Sequence, residues 1–300
     1  MNARDLAGVF GPVVSTFQRR SGDLDLESFG RNIQAHLSGG LAGIVVGGST
    51  GEAALLTEEE RVHLLDRARR EVPTNRLLLM GTGAESTRLT VRRCRQASAS
   101  GADAVLVVAP HYYSNAMSVE ALRAHFRRVA DESPLPVLLY NIPKYMHFKL
   151  APELVAELAR HENIVGIKDS SGDLELLAAY LRAQSATFTV LTGNGGQLYD
   201  ALGAGARGGI LAVALFAALP SVRIFALHAS GDGSAAEALQ ATLKPLAAEI
   251  VAALGVAGVK AAMDAVGLAG GVVRAPLTDL GEAGQALVSG LLSGLHAAAA

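Results

Sequence analysis

The segment Ile164–Asp173, IVGIKDSSGD, ends an apolar run in a lysine and continues with acidic, hydroxylated and glycine residues. From Ile164 to Ile167 it has the continuous hydrophobicity of a strand buried on both faces. An ammonium at the end of such a strand loses water, which costs several kcal/mol unless the group is paired or neutral. Beyond Lys168, DSSGD offers Ser171 and Asp173 as caps for a following helix. The segment is therefore a strand, a short loop with a reactive group at its start, and a helix entry.

Working outward, the same unit recurs. Short apolar segments begin at Gly8 (GVFGPVV), Gly43 (GIVV), Leu77 (LLLM) and Ala104 (AVLVV). Further ones begin at Pro136 (PVLLY), Ile164 (IVGIK), Thr187 (TFTVL) and Gly208 (GGILAV). Amphipathic patterns with 3.6-residue spacing lie between them, among them SVEALRAHFRRVADE and APELVAELARH. Thr57 and Glu60 in LTEEERVHLLDRARREV form a capping box. Eight strand–helix units of about 30 residues predict an α/β fold, a (β/α)8 TIM barrel. A doubly wound sheet would carry a glycine-rich dinucleotide fingerprint after its first strand, and GVFGPVVSTF does not supply one. From Val222 the pattern turns to alanine-rich helix without strands. Residues 1–222 are thus expected to form the barrel, and residues 223–300 a C-terminal helical extension of the same domain.

Bulk properties narrow the function. The chain has 300 residues, half of them hydrophobic, and a formal net charge of −2, which gives no footprint for nucleic acid or an anionic membrane. MNARDLAGVFGP lacks the pattern of a secretory signal. GILAVALFAALP is too short to span a bilayer. The single cysteine, Cys94, allows no internal disulfide, and a cytoplasmic protein is expected. The eight histidines show no HxH or HExxH spacing, so no metal is expected. Only five of the 26 basic residues are lysines. Lys144, Lys149, Lys244 and Lys260 fall in loops or helix patterns and are expected to be solvated, which leaves Lys168 as the strand-end lysine.

In a barrel of this kind, chemistry sits at the C-terminal strand ends and in the loops that follow. Those positions hold GGSTGE (Gly47–Glu52), PHYYSN with Tyr112 and Tyr113, Tyr140 followed by NIP, Lys168, and GNGGQ from Gly193. Removing water from an amine favours its neutral form, the form that attacks a ketone to make a Schiff base. Strand alternation puts Ile164, Gly166 and Lys168 on one face, with Gly166 expected to clear the lysine stem. Tyr140 ends the neighbouring strand, close enough for proton transfer. Backbone N–H groups of GGSTGE, Gly48 among them, with the Ser49 and Thr50 hydroxyls, make a cradle for a small carboxylate.

GSTGE, a tyrosine after strand four, YNIP and GIKDSSGD together resemble the dihydrodipicolinate synthase and N-acetylneuraminate lyase family, along nearly the whole chain. The resemblance implies a class I, pyruvate-dependent aldolase or lyase working through a covalent lysine imine without metal or organic cofactor. It implies Lys168 as the Schiff-base lysine and Tyr140 as the acid/base. Ser49 is implied as the hydroxyl linking Tyr140 to Tyr112, which a neighbouring subunit inserts. Thr50 is implied as a carboxylate ligand and Ile210 as a carbonyl facing the substrate. Gly193, Asn194 and Tyr145 complete the expected substrate contacts. The family is typically a tetramer, a dimer of dimers.

Two departures bear on the second substrate. The synthases hold a second carboxylate with an arginine two residues past YN-x-P, where this chain has Lys144 and Tyr145. The loop after strand seven has none of the acidic residues with which the lyases bind sugar hydroxyls. YYSNAMS, KDSSGD and GNGGQL are similar to 4-hydroxy-2-oxoglutarate and 2-keto-3-deoxy-acid aldolases. The main expectation is therefore reversible cleavage of a 4-hydroxy-2-oxo acid to pyruvate and an aldehyde. The alternatives are dihydrodipicolinate synthase activity, condensing pyruvate with aspartate semialdehyde, and a dehydratase or deaminase using the same imine.

Overall fold

The computed structural model describes residues 5–299. Eight parallel strands close into a barrel in chain order: β1 Gly8–Pro12, β2 Gly43–Val46, β3 Leu77–Gly81, β4 Ala104–Val108, β5 Val137–Asn141, β6 Ile164–Asp169, β7 Thr189–Thr192 and β8 Gly208–Ile210. Nearly every strand residue is buried, as continuous rather than alternating hydrophobicity requires when helices cover the outside. A helix follows each strand, the eighth being Ala218–Ser230, packed against β1. Residue 222 lies inside that helix. Beyond it come Gly233–Pro245, a π-helical stretch Leu246–Ala253, Gly255–Ala265 and Glu282–Ala299. No helix of the described residues is long and apolar enough to cross a membrane.

Local chemistry explains where the elements stop. The Thr57 hydroxyl accepts from the Glu60 N–H, and the Glu60 carboxylate accepts from the Thr57 N–H, closing the capping box. Asp173 caps Leu174–Leu181 by accepting from the Glu175 and Leu176 N–H groups. β7 starts at Thr189, two residues later than the apolar pattern suggests, because the Thr187 and Phe188 N–H groups donate to the Ser185 hydroxyl and hold a turn. Pairing of β5 with β6 shifts between Val137 and Leu138, which pair with Ile164 and Gly166 and leave Val165 as a bulge. Strict alternation along β6 therefore fails before Gly166. Beyond the bulge Tyr140 pairs with Lys168, and Asn141 with Asp169.

Two histidines are packed into the helical layer with an unpartnered Nε2 each: His36, and His125, whose Nδ1 lies 2.9 Å from the Thr87 hydroxyl. Burial lowers both pKa values from 6.5 to about 4. The unfolded chain takes up these protons near pH 6.5 and the folded chain only near 4, so stability is full above pH 6.5 and falls with pH between those limits. Each site is expected to cost roughly 3 kcal/mol when the loss is complete. Melting temperatures measured from pH 7.5 to 4.5 should drop less steeply for His36→Gln and His125→Gln than for the native chain; equal slopes would show that neither imidazole is neutral in the fold.

Candidate active site

Tyr140 and Lys168 end adjacent strands and are both almost fully buried, at 4% and 6% exposure. The Lys168 ammonium stands 4.2 Å from the centre of the Tyr140 ring. The adjacent carboxylate, Asp169, is turned away: it accepts from Asn141 Nδ2 (2.7 Å), the Ser171 hydroxyl (2.7 Å) and the Ser171 N–H (3.1 Å). Burial raises the Asp169 pKa, and those hydrogen bonds oppose the rise. Asn141 Oδ1 accepts from the Leu150 N–H at 3.0 Å, which ties the loop after β5 to the strand end. Asp169 and Asn141 therefore brace the two strand ends, and no carboxylate among the described residues pairs with Lys168. The Asn141 role was not read from the sequence, although its place in YNIP was the available signal.

These two side chains open into a cavity of about 310 Å³ at the C-terminal end of the barrel. Ser49, Thr50, Gly193, Asn194, Ile210 and Tyr145 all line it. Ser49 and Thr50 start a 3-10 turn, Ser49–Gly51, where N–H groups have no partner within the helix. Gly48 does not line the cavity: it is the extended residue before that turn, buried behind it, and its carbonyl accepts from the Gly51 N–H. The Ser15 hydroxyl donates to the Gly51 carbonyl at 2.7 Å and fixes the turn to the loop after β1.

The clearance for the lysine stem comes from Gly193 in the loop after β7, not from Gly166. A Cβ on Gly193 would lie 2.9 Å from Lys168 Cε, whereas a Cβ on Gly166 would strike the Thr189 carbonyl of β7. The bulge at Val165 reassigns Gly166 to close strand packing. Asn194 spends its side chain on its own loop, accepting from the Gly196 N–H and donating to Gln197. Tyr145 has its hydroxyl pKa raised, first by burial and second by Tyr140. Lys144 lines the cavity too, its ammonium donating to the Ala252 carbonyl at 2.9 Å. Among the described residues, two lysines and no carboxylate line the cavity, so its charge suits an anion. Its outer wall is apolar and comes from the C-terminal helices, through Ala247, Val251, Val256 and Val259.

Tyr112 lies outside this cavity, 77% exposed, in edge contact with the exposed Tyr113, while its N–H donates to Glu85. Lys149 is solvated as expected, paired at the surface with Asp173. Lys260 is not: it is 1% exposed and stands 2.5 Å from Glu52 Oε1, so the expectation of a solvated lysine is overturned. Its helix faces the GSTGE turn, and the ion pair offsets the desolvation that small flanking residues could not reveal. Among the described residues, no group of three or more His, Cys, Asp or Glu is placed to hold a metal ion.

Comparison with known proteins gives a consistent result. Residues 5–294 match the model of the dihydrodipicolinate synthetase family. A 4-hydroxy-tetrahydrodipicolinate synthase of Xanthomonas axonopodis pv. citri is 42% identical over 240 residues, covering 79% of this chain and 76% of that protein. The 4-hydroxy-tetrahydrodipicolinate synthase of Methylacidiphilum fumariolicum SolV superposes with a TM-score of 0.92 at 28% identity, covering 98% of this chain and 97% of that one. YagE, a prophage protein of E. coli K12 solved in complex with pyruvate, superposes with a TM-score of 0.91 at 30% identity, covering 97% and 99%.

Proposed function

The chain belongs to the dihydrodipicolinate synthetase family, whose members are Schiff-base lyases and aldolases acting on pyruvate, and from that premise we propose that it condenses pyruvate with aspartate semialdehyde. The observation that carries the chemistry is a buried lysine with no counter-charge, set against a tyrosine, in a cavity that has no acid. The pyruvate carboxylate sits on the Ser49–Thr50 turn, held by its N–H groups and hydroxyls. Lys168 Nζ attacks C2 of pyruvate, Tyr140 passes protons to and from the carbinolamine oxygen, and water leaves as the imine forms. Loss of a C3 proton gives the enamine. Its C3 attacks the aldehyde carbon, the new alkoxide takes a proton, and water or the product's own amine releases Lys168. The imine is the electron sink, so the sequence of steps calls on no metal or organic cofactor.

The choice of aldehyde follows the relatives, which are 4-hydroxy-tetrahydrodipicolinate synthases, and not the 4-hydroxy-2-oxo acid that the motifs alone favoured. Lys144 is the second cation of the cavity and the candidate partner for a carboxylate on that aldehyde. Retro-aldol cleavage of a 4-hydroxy-2-oxo acid stays as the second reading, favoured by one observation: Tyr145 and no arginine lines the cavity beyond YNIP. The exposed Tyr112 suits a homo-oligomer in which a second copy covers it, a dimer of dimers in the family's manner. Two assays separate the readings. Consumption of pyruvate only when aspartate semialdehyde is present is expected. Release of pyruvate from 4-hydroxy-2-oxo acids, followed with a coupled dehydrogenase, with no condensation activity, would reverse the choice. Loss of water or ammonia without an aldehyde product would instead mark a dehydratase or deaminase.

A further inference from the structure

Glu52 follows the Ser49–Gly51 turn directly and lies in the left-handed region, φ 56° and ψ 35°. Glycine adopts that backbone freely, whereas a residue with a Cβ does so at a cost. The position therefore retains a side chain against its backbone preference. That side chain is fully buried: Oε1 is 2.5 Å from Lys260 Nζ, and Oε2 accepts from the Arg274 N–H at 2.8 Å. Lys260 Nζ also donates to the Val272 carbonyl at 2.6 Å and lies 4.6 Å above the Phe17 ring. Lys260 belongs to Gly255–Ala265, the helix that supplies Gly255, Val256 and Val259 to the cavity wall. The turn preceding Glu52 supplies Ser49 and Thr50 to the same cavity. One buried ion pair thus joins two walls of the cavity from behind.

We infer that Glu52 and Lys260 are positioning residues: their pair fixes the Ser49–Thr50 turn against helix Gly255–Ala265 and so sets the affinity for the carboxylate of the 2-oxo acid. This rests on the reading that the turn takes the pyruvate carboxylate. Neither residue touches the substrate, so saturating pyruvate should still reach Lys168. The variant that isolates the effect is Glu52→Gln/Lys260→Met, which removes both charges at similar volume and leaves no buried charge alone. The fraction of protein trapped by borohydride is measured against pyruvate concentration, alongside a thermal melt. The pyruvate concentration for half-maximal trapping is expected to rise roughly ten- to a hundredfold, with full trapping on Lys168 at saturation, since small misplacements of positioning groups cost on that scale. A folded double variant that traps at native pyruvate concentrations overturns the inference and leaves the pair a structural strut. If the double variant does not fold, Glu52→Gln alone, which keeps an oxygen facing Lys260, should show a smaller rise, and an unchanged midpoint overturns the inference equally. Absence of trapping in the native protein overturns the imine reading and this inference with it, whereas unchanged trapping in the variants overturns this inference alone.

Discussion

Borohydride added to the protein with pyruvate should attach the reduced imine to Lys168, and Lys168→Ala should carry no label and lose roughly 10³-fold or more of its condensation activity. The size of the effect follows from the covalent role: without the amine there is no imine, and the C3 proton of pyruvate loses its electron sink. The geometry separates this from a structural lysine. A structural lysine at 6% exposure would need a carboxylate, and the one next to it in sequence is taken by Asn141 and Ser171. The Lys168 side chain opens into an existing cavity, so truncation enlarges that space and does not create a sealed void. A melt close to native for Lys168→Ala is therefore expected beside the loss of activity. If native protein remains unlabelled at saturating pyruvate, the Schiff-base mechanism is refuted whatever the variant does.

Much of this site was legible because the barrel assigns meaning to position. Strands buried on both faces read as unbroken apolar runs, so β2 and β4 matched their apolar segments to the residue. Once eight strands are accepted, their C-terminal ends are a short list of places, and Tyr140 and Lys168 stand out there by side-chain chemistry. What stayed hidden depends on contacts between distant segments. The bulge at Val165 arises from how β6 meets β5, and no local pattern announces it, so the clearance for Lys168 was assigned to Gly166 and not to Gly193. Gly48 looked like part of the carboxylate cradle because its neighbours Ser49 and Thr50 line the cavity, yet the turn begins one residue later and leaves it behind. Lys260 sits in an alanine-rich helix pattern that suits a solvated lysine, and its buried partners, Glu52 and Phe17 from the other end of the chain and the Val272 carbonyl, account for its burial.

Lys260→Met alone is expected to destabilise the fold by about 3–5 kcal/mol, because it leaves the Glu52 carboxylate buried without a counter-charge. In a domain of this size that corresponds to a fall in melting temperature on the order of 10 °C. The contrast with the Glu52→Gln/Lys260→Met double variant carries the argument. Replacing both members of a buried pair by neutral groups of similar volume is often close to neutral, since the desolvation of both ions is removed along with their attraction. The single variant should therefore be less stable than the double, an ordering that the sum of two independently destabilising substitutions does not give. The exposed pair Lys149–Asp173, with a nitrogen–oxygen distance of 2.8 Å, provides the comparison: solvent screens it, and its loss should change stability far less. Similar distances, 2.5 and 2.8 Å, thus predict unequal effects, and burial is the difference. A Lys260→Met variant that melts with the native chain would mean that Glu52 finds water or a proton within the fold, and the pair would then be too soft to hold the substrate turn.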